Sequence, residues 1–465
     1  MSMRITIAAG ALAVACTASA VGSQGYLYIQ TNDWHAGRNA MRGYAISGGG
    51  HLTPVPAAGV RTGGTGGWNQ TAGKIGPNDA DASVVSTPSG RYVYAVNAGS
   101  DSVAAFRVLP GGGLRALPGS PYPSRGVNPT SLSVTRDGTR LIVVNRNEDP
   151  LRLAQLRGAA RATIATFRIQ GNGALRVTGG APHTGPGAPE QALQMPFAPS
   201  VVLSTGLTFE LGAGPNGVLW RNAPLARASV QSFAVRPGGA MAPGPWRQIA
   251  TSGFGTPADD ADTAFLLGMW PSSHRPLVYI GLPDQSQILT ARYAAGGRLT
   301  WISRDTGTGV ELCWIRSSPD GDFLYTLYPD VGSNPQGQQV MPRIGTWDVR
   351  GARATHPVEI SHADIPVIIN PYTSADGFVD STGEAGARIE ASPNGRWVFA
   401  QTTRGDQTPA NTMRQGNSLY GYRVGANGRL TRVSTLHLET VGVPIDVRPY
   451  GMAIVQPGVG GTTGG

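Results

Sequence analysis

An all-β fold, a seven-bladed β-propeller of four-stranded antiparallel blades, follows from three features of this 465-residue chain. Gly (66) and Pro (36) punctuate it throughout, and no long helical periodicity runs between them. A short apolar strand signature recurs seven times, and a partner strand ending in a Gly-rich or short polar turn recurs in step with it. A unit of roughly 40–65 residues holding four short strands exposes its edges when alone, so it must stack on copies of itself and close into a ring.

The first signature reads GYLYIQTN (25–32), followed by GRYVYAVN (90–97), TRLIVVN (139–145), GLTFEL (206–211), PLVYIG (276–281), DFLYTLY (322–328) and GRWVFAQT (395–402). Four of these follow a polar turn: Pro88-Ser89-Gly90, Arg136-Asp137-Gly138, Pro319-Asp320-Gly321 and Pro393-Asn394-Gly395. Such turns reverse the chain between strands one and two of a blade. The partner strands run through RGYAISGGGHL, VAAFRVLPGGGL, IATFRIQGNGAL, VQSFAVRPGGAM, ILTARYAAGGRL, IGTWDVRGARA and LYGYRVGANGRL. Blade one lacks an innermost strand of its own. RPYGMAIVQP (448–457) has the character of one, as in NPTSLSVTR (128–136), so the C-terminal strand is expected to complete the first blade.

The ends and the charge bound the setting. Arg4, an apolar run over residues 5–16 and Ala18-Ser19-Ala20 have the layout of a cleavable export signal, giving a signal peptide at 1–20 and a propeller at 21–457. Residues 458–465 read as a flexible Gly-rich tail. The expected location is periplasmic or secreted, with a lipid anchor on Cys16 as the lesser alternative. No apolar run is long enough for a transmembrane helix. With Cys16 near the signal, Cys313 beside Trp314 is read as core. The net charge of +9 is almost wholly Arg, scattered singly, with Lys74 the only lysine. Nucleic acid is therefore not an expected partner, because the clustered basic footprint is missing.

The Pro…Ser-Pro-Asp-Gly turns, the Tyr-Val-Tyr-x-x-Asn run and the Phe-Arg-Val…Gly-x-Leu ending resemble the seven-bladed propeller lactonase family. Its best-known members are 6-phosphogluconolactonases and a carboxymuconate cyclase. The likeness is strongest in blades two, three and seven. It rests on architectural motifs and carries no catalytic residue over to this chain.

The repeat assigns loops to faces. Turns between strands one and two, and three and four, are short and share one face. The other face carries the long segments 31–40, 145–162, 211–228, 328–343 and 402–417, with the inter-blade connections 59–81, 250–264 and 367–386. Ligand chemistry is expected there, on long loops held by a rigid scaffold. Asp79 and Asp81, Asp260 and Asp262, Glu311 and Glu384 stand before innermost strands and would bring carboxylates to the channel mouth. Asp81, Asp262, Arg388 and Glu390 are the catalytic candidates: a carboxylate to take a proton from water and a guanidinium to face a developing oxyanion. Trp34, His35, Arg146, Arg316 and Glu384 are the substrate-binding candidates. No cofactor is required, although Asp79, Asp81, Asp262 and Glu311 offer the oxygen ligands a divalent cation prefers. An equally structural reading has the carboxylates capping turns and Arg316, Arg388 and Glu390 pairing between neighbouring blades.

No Gly-x-Ser-x-Gly elbow, nucleotide-binding Gly loop or metal-spaced His pair occurs in the sequence. Two functions stay open: a lactonase-like hydrolase or lactonising lyase acting on an unphosphorylated lactone or related cyclic ester, and a non-catalytic propeller binding a small molecule or protein. The oligomeric state is not legible.

Overall fold

The computed structural model describes residues 22–67, 81–147, 162–184, 188–207, 209–212, 219–222, 229–248, 266–283, 285–368, 384–404 and 414–465. They form seven antiparallel blades. From the channel outward, blade two is Val84–Ser86, Tyr92–Asn97, Ser102–Val108 and Leu114–Ala116. Blade three is Pro129–Val134, Arg140–Asn145, Thr163–Ile169 and Leu175–Pro182. Blades four to seven begin on the inner strands Ala188–Met195, Met269–Pro271, Trp314–Ser317 and Glu384–Ala391. Each inner strand runs from the long-loop face toward a short turn.

The ring closes as the sequence predicts. Tyr450–Gln456 pairs antiparallel with Gly25–Gln30, with Leu27 opposite Ile454, and supplies the inner strand of blade one. Seven apolar clusters fill the seven interfaces between blades. The closing one packs Leu27, Ile29 and Tyr44 of blade one against Trp397, Phe399 and Leu419 of blade seven. Cys313 is buried in the cluster between blades six and seven.

The recurrent aromatic and the recurrent Gly prove to be two halves of one contact. Gly112 (φ +81°) lies so close to the ring of Tyr26 on the preceding blade that a Cβ would overlap it, and Gly173 (φ +85°) sits in the same way on Tyr92. Gly50 repeats the contact on Trp397 across the ring closure, and Gly428 on Phe323. The next aromatic along the strand adds a hydrogen bond: Tyr28 donates to the Gly112 carbonyl and Tyr94 to that of Gly173, both at 2.9 Å. The left-handed turn needs Gly, and the missing side chain makes room for the neighbouring ring.

Blade four departs from expectation. Its second strand is Ala198–Leu207, not GLTFEL, and Phe209–Gly212 pairs with Leu219–Asn222 in a separate two-stranded hairpin. Val201, Val202 and Leu203 form the buried run that the blade's neighbours require. GLTFEL has similar apolar alternation, but only Gly206 and Leu207 of it lie in the second strand, and Phe209–Leu211 falls in the separate hairpin.

The Gly-rich tail lies inside the channel. Gly460–Gly461 pairs with Val455 and Gln456 as a fifth strand of blade one. Thr462 then accepts from the Ser86 N–H (2.7 Å) and Thr463 from the Val134 N–H (2.8 Å). Gly464 reaches Ala82 and Leu132. Inner strands present unpaired edge donors to the channel, and the tail satisfies two of them. The sequence showed the tail's composition, whereas these edge donors exist only once the ring has formed. Residues 1–21, on which the expected export signal falls, lie outside the described residues, among which no helix is long and apolar enough to cross a membrane.

Candidate functional site

The inner strands bring three sequence candidates into one buried cluster. Arg316, on the inner strand of blade six, points across the channel to Asp81 at the long-loop end of blade two's inner strand. Its Nη1 and Nη2 donate to Asp81 Oδ2 and Oδ1, each at 2.6 Å. Blades six and two are three steps apart, as far as a ring of seven allows, so this pair spans the channel. Arg316 Nε donates to Glu390 Oε2 of blade seven at 3.0 Å. Its guanidinium carbon stands 4.8 Å from the centre of the Trp270 ring on blade five. Ala82 adopts a left-handed backbone (φ 57°) that accompanies the inward turn of Asp81.

Gln191 of blade four completes the arrangement. Its Nε2 donates to Asp81 Oδ2 at 2.9 Å and to the tail carbonyl of Gly464 at 3.4 Å, while its Oε1 accepts from the Met269 N–H at 2.7 Å. Blades two, four, five, six and seven, with the tail of blade one, thus meet through one ion cluster. The cluster is buried, with Arg316 2% and Asp81 0% exposed. Burial opposes charge on Arg316, but Asp81 and then Glu390 outweigh it and hold the guanidinium above its ordinary range. Burial pushes the Glu390 carboxyl up to about 7, against the pull of Arg316.

Arg388 is held apart from this cluster. Its guanidinium lies between Trp314 (4.1 Å) and Tyr450 (3.7 Å), on the blades either side of its own. Glu384 accepts from Tyr420 Oη (3.0 Å), the Ile368 N–H (3.0 Å) and Thr402 Oγ1. Arg146 Nη1 meets Glu190 Oε2 at 3.2 Å, with both side chains fully buried. Glu311 sits in a left-handed turn (φ 59°) with its N–H bonded to Ser286 Oγ at 3.0 Å. Asp79 and Asp262 lie outside the described residues. Among the described residues no three His, Cys, Asp or Glu gather as a metal site.

Trp34 and His35 stand on the long-loop face, where Asp33 organises them. His35 Nδ1 lies 2.7 Å from Asp33 Oδ1, and the same oxygen accepts the His35 N–H at 3.0 Å. Trp34 stacks on the imidazole with centroids 4.0 Å apart. Arg38 Nε stands 3.4 Å from Asp33 Oδ2. His183 is different in kind: burial pushes its imidazole down to about 4.

Sequence reasoning missed Gln191, Glu190 and Asp33. The first two were hidden because blade four's strands were placed too late in the chain, which left 188–195 unrecognised as an inner strand. Asp33 had a visible signal, an acidic residue two before a His in a long loop.

The architecture, a seven-bladed propeller, is similar to that of the lactonase-like propellers. The family described as "Lactonase, 7-bladed beta-propeller" matches residues 63–163, from the end of blade one into blade three. Among solved structures, a putative 6-phosphogluconolactonase from Bacteroides fragilis is similar at 14% identity and TM-score 0.54, covering 94% of this chain and 99% of that one. The periplasmic gluconolactonase of Pseudomonas aeruginosa is similar at 15% identity and TM-score 0.53, covering 82% and 95%. A hypothetical selenium-binding protein from Sulfolobus tokodaii is as alike in shape, with TM-score 0.57 at 9% identity and 95% of each chain covered. At these identities the likeness is one of fold. No curated protein sequence matches the chain.

Proposed function

We propose that the protein is an exported lactonase-like enzyme that acts on an unphosphorylated lactone or related cyclic ester at the long-loop face of the propeller. The observation that carries this reading is the lactonase-family match over residues 63–163, the segment that holds the connection to Asp81 and the loops over blade two. The brace formed by Asp81, Arg316, Gln191 and Glu390 supports the choice of face. It spans the channel from blade six to blade two, which favours a ligand that enters and leaves above it, among the loops. The export signal that the sequence leads us to expect at residues 1–20 favours a substrate without phosphate, since phosphorylated sugars are held in the cytoplasm.

One observation favours the second reading, a non-catalytic ligand- or protein-binding propeller: Arg316 and Asp81 are buried and committed to one another in a bidentate pair, as in a purely structural brace. Titrating acid release from unphosphorylated aldonolactones and aromatic-pathway lactones at constant pH separates the two. Enzyme-dependent release supports the lactonase, and none with any lactone supports the binding module.

A further inference from the structure

We propose that His35 is the general base of this reaction and that Asp33 is its positioning residue; the inference rests on the lactonase reading. An imidazole serves as a base when one nitrogen is fixed as a donor and the other keeps its lone pair at an accessible edge. The Asp33 carboxylate is 5% exposed and holds His35 Nδ1 at 2.7 Å, which fixes the proton on Nδ1. The imidazole is 32% exposed, and among the described residues no group bonds Nε2. Trp34 stacked on the ring restricts its rotation. Asp33 is itself anchored, because its carbonyl accepts the Gly66 N–H at 2.7 Å and the preceding Asn32 side chain accepts that of Gly67 at 3.1 Å.

The other described histidines lack this combination. His183 is buried, and His274 Nε2 is committed to the Asp320 carbonyl. His356 stands 3.9 Å from its nearest carboxylate, Asp305. Among the described residues the charged groups against the dyad are Asp33 itself and Arg38.

The loop that carries the dyad leaves the second strand of blade one, one strand out from the inner strand Tyr450–Gln456. Gln30, its last strand residue, pairs with Tyr450, the ring that stacks on Arg388. Gln30 also accepts from Asn39 at the far end of the same loop, at 3.2 Å. His35 thus stands on the long-loop face, over blade one.

The step balances without a further reactant. Water attacks the lactone carbonyl carbon while Nε2 takes its proton, and the tetrahedral oxyanion forms. Collapse of that intermediate breaks the ring C–O bond, and the departing alkoxide recovers the proton from Nε2. Lactone and water become the open hydroxy acid, and His35 returns to its starting state.

The test follows acid release from glucono-1,5-lactone and galactono-1,4-lactone by the full chain, with His35→Ala, His35→Gln, Asp33→Asn and the short-turn-face control His51→Gln. His35→Ala is expected to lower kcat on the order of 100-fold or more, with KM moving less than about threefold. Added imidazole should restore part of that loss. Asp33→Asn removes the carboxylate that orients the imidazole, so kcat should fall roughly 10-fold or more with KM little changed. Should His35→Ala melt early, His35→Gln carries the comparison.

Turnover by the parent protein that survives in a folded His35→Ala or His35→Gln overturns this inference and leaves the lactonase reading standing. A lost activity that imidazole does not rescue, with melting unchanged, overturns the base role as well. Absence of turnover in the parent protein itself removes the lactonase reading, and this inference with it.

Discussion

Replacing Arg316 by Met removes the cation from a cluster that then holds two carboxylates and no countercharge within bonding distance. Asp81 loses two charge-assisted hydrogen bonds and Glu390 loses one. Gln191 remains on Asp81, but an amide does not neutralise it. Breaking a buried ion pair from one side costs about 3–5 kcal/mol. For a body of this size the unfolding entropy makes 1 kcal/mol worth roughly 1 °C in Tm, so the expected drop is about 3–5 °C. The penalty should depend on pH. Glu390 already titrates near 7, and without Arg316 it takes a proton more readily, so the loss at pH 5 should be well below that at pH 8. Adding Asp81→Asn and Glu390→Gln to Arg316→Met should recover much of the stability, since no charge is then stranded. Urea and thermal melts of the single and triple variants at both pH values decide this. A loss under about 1 kcal/mol at pH 8, or an equal loss at pH 5, would refute the brace.

Glu390→Gln alone should change the pH profile of melting. The folded carboxyl is raised from 4.5 to about 7, so its contribution is fully present below 4.5 and drains away as pH rises through 7; the amide should flatten that slope. Arg388→Ala removes a cation packed between Trp314 and Tyr450 and leaves a hole between three blades, so it should lower stability by about 2–4 kcal/mol in denaturant melts. Truncation before residue 458 uncaps the Ser86 and Val134 N–H groups and should cost about 1–3 kcal/mol, whereas truncation before 446 removes the inner strand of blade one and should abolish the cooperative melt.

The architecture was legible because a propeller writes the same local physics into every blade. An aromatic–Gly contact across four of the seven interfaces ties the aromatic of a second strand to the Gly of the following blade's turn, so much of the repeat could be counted before any contact was known. Register also placed Arg316, Arg388 and Glu390 on inner strands. Their partners were not legible, because register says that two side chains face a channel but not which of six other blades each one reaches. Arg316 was set beside Glu390 by adjacency, and the longer reach to Asp81 depends on the inward turn at Ala82. Blade four failed for a local reason: Val201-Val202-Leu203 has neither an aromatic nor a polar Gly turn before it, whereas each of the other second strands has at least one of the two. The dyad of Asp33 and His35 was half visible, as a His in a long loop, and only the 2.7 Å contact turns it into an oriented base.

The most direct test of the functional account is a crystal structure with an aldonolactam, which keeps the ring and carbonyl of a lactone but resists opening. The account predicts the lactam at the mouth of the channel on the long-loop face, its carbonyl carbon within reach of a water held by His35 Nε2. A lactam seated on the short-turn face, or a long-loop face that stays empty at saturating lactam, would contradict it.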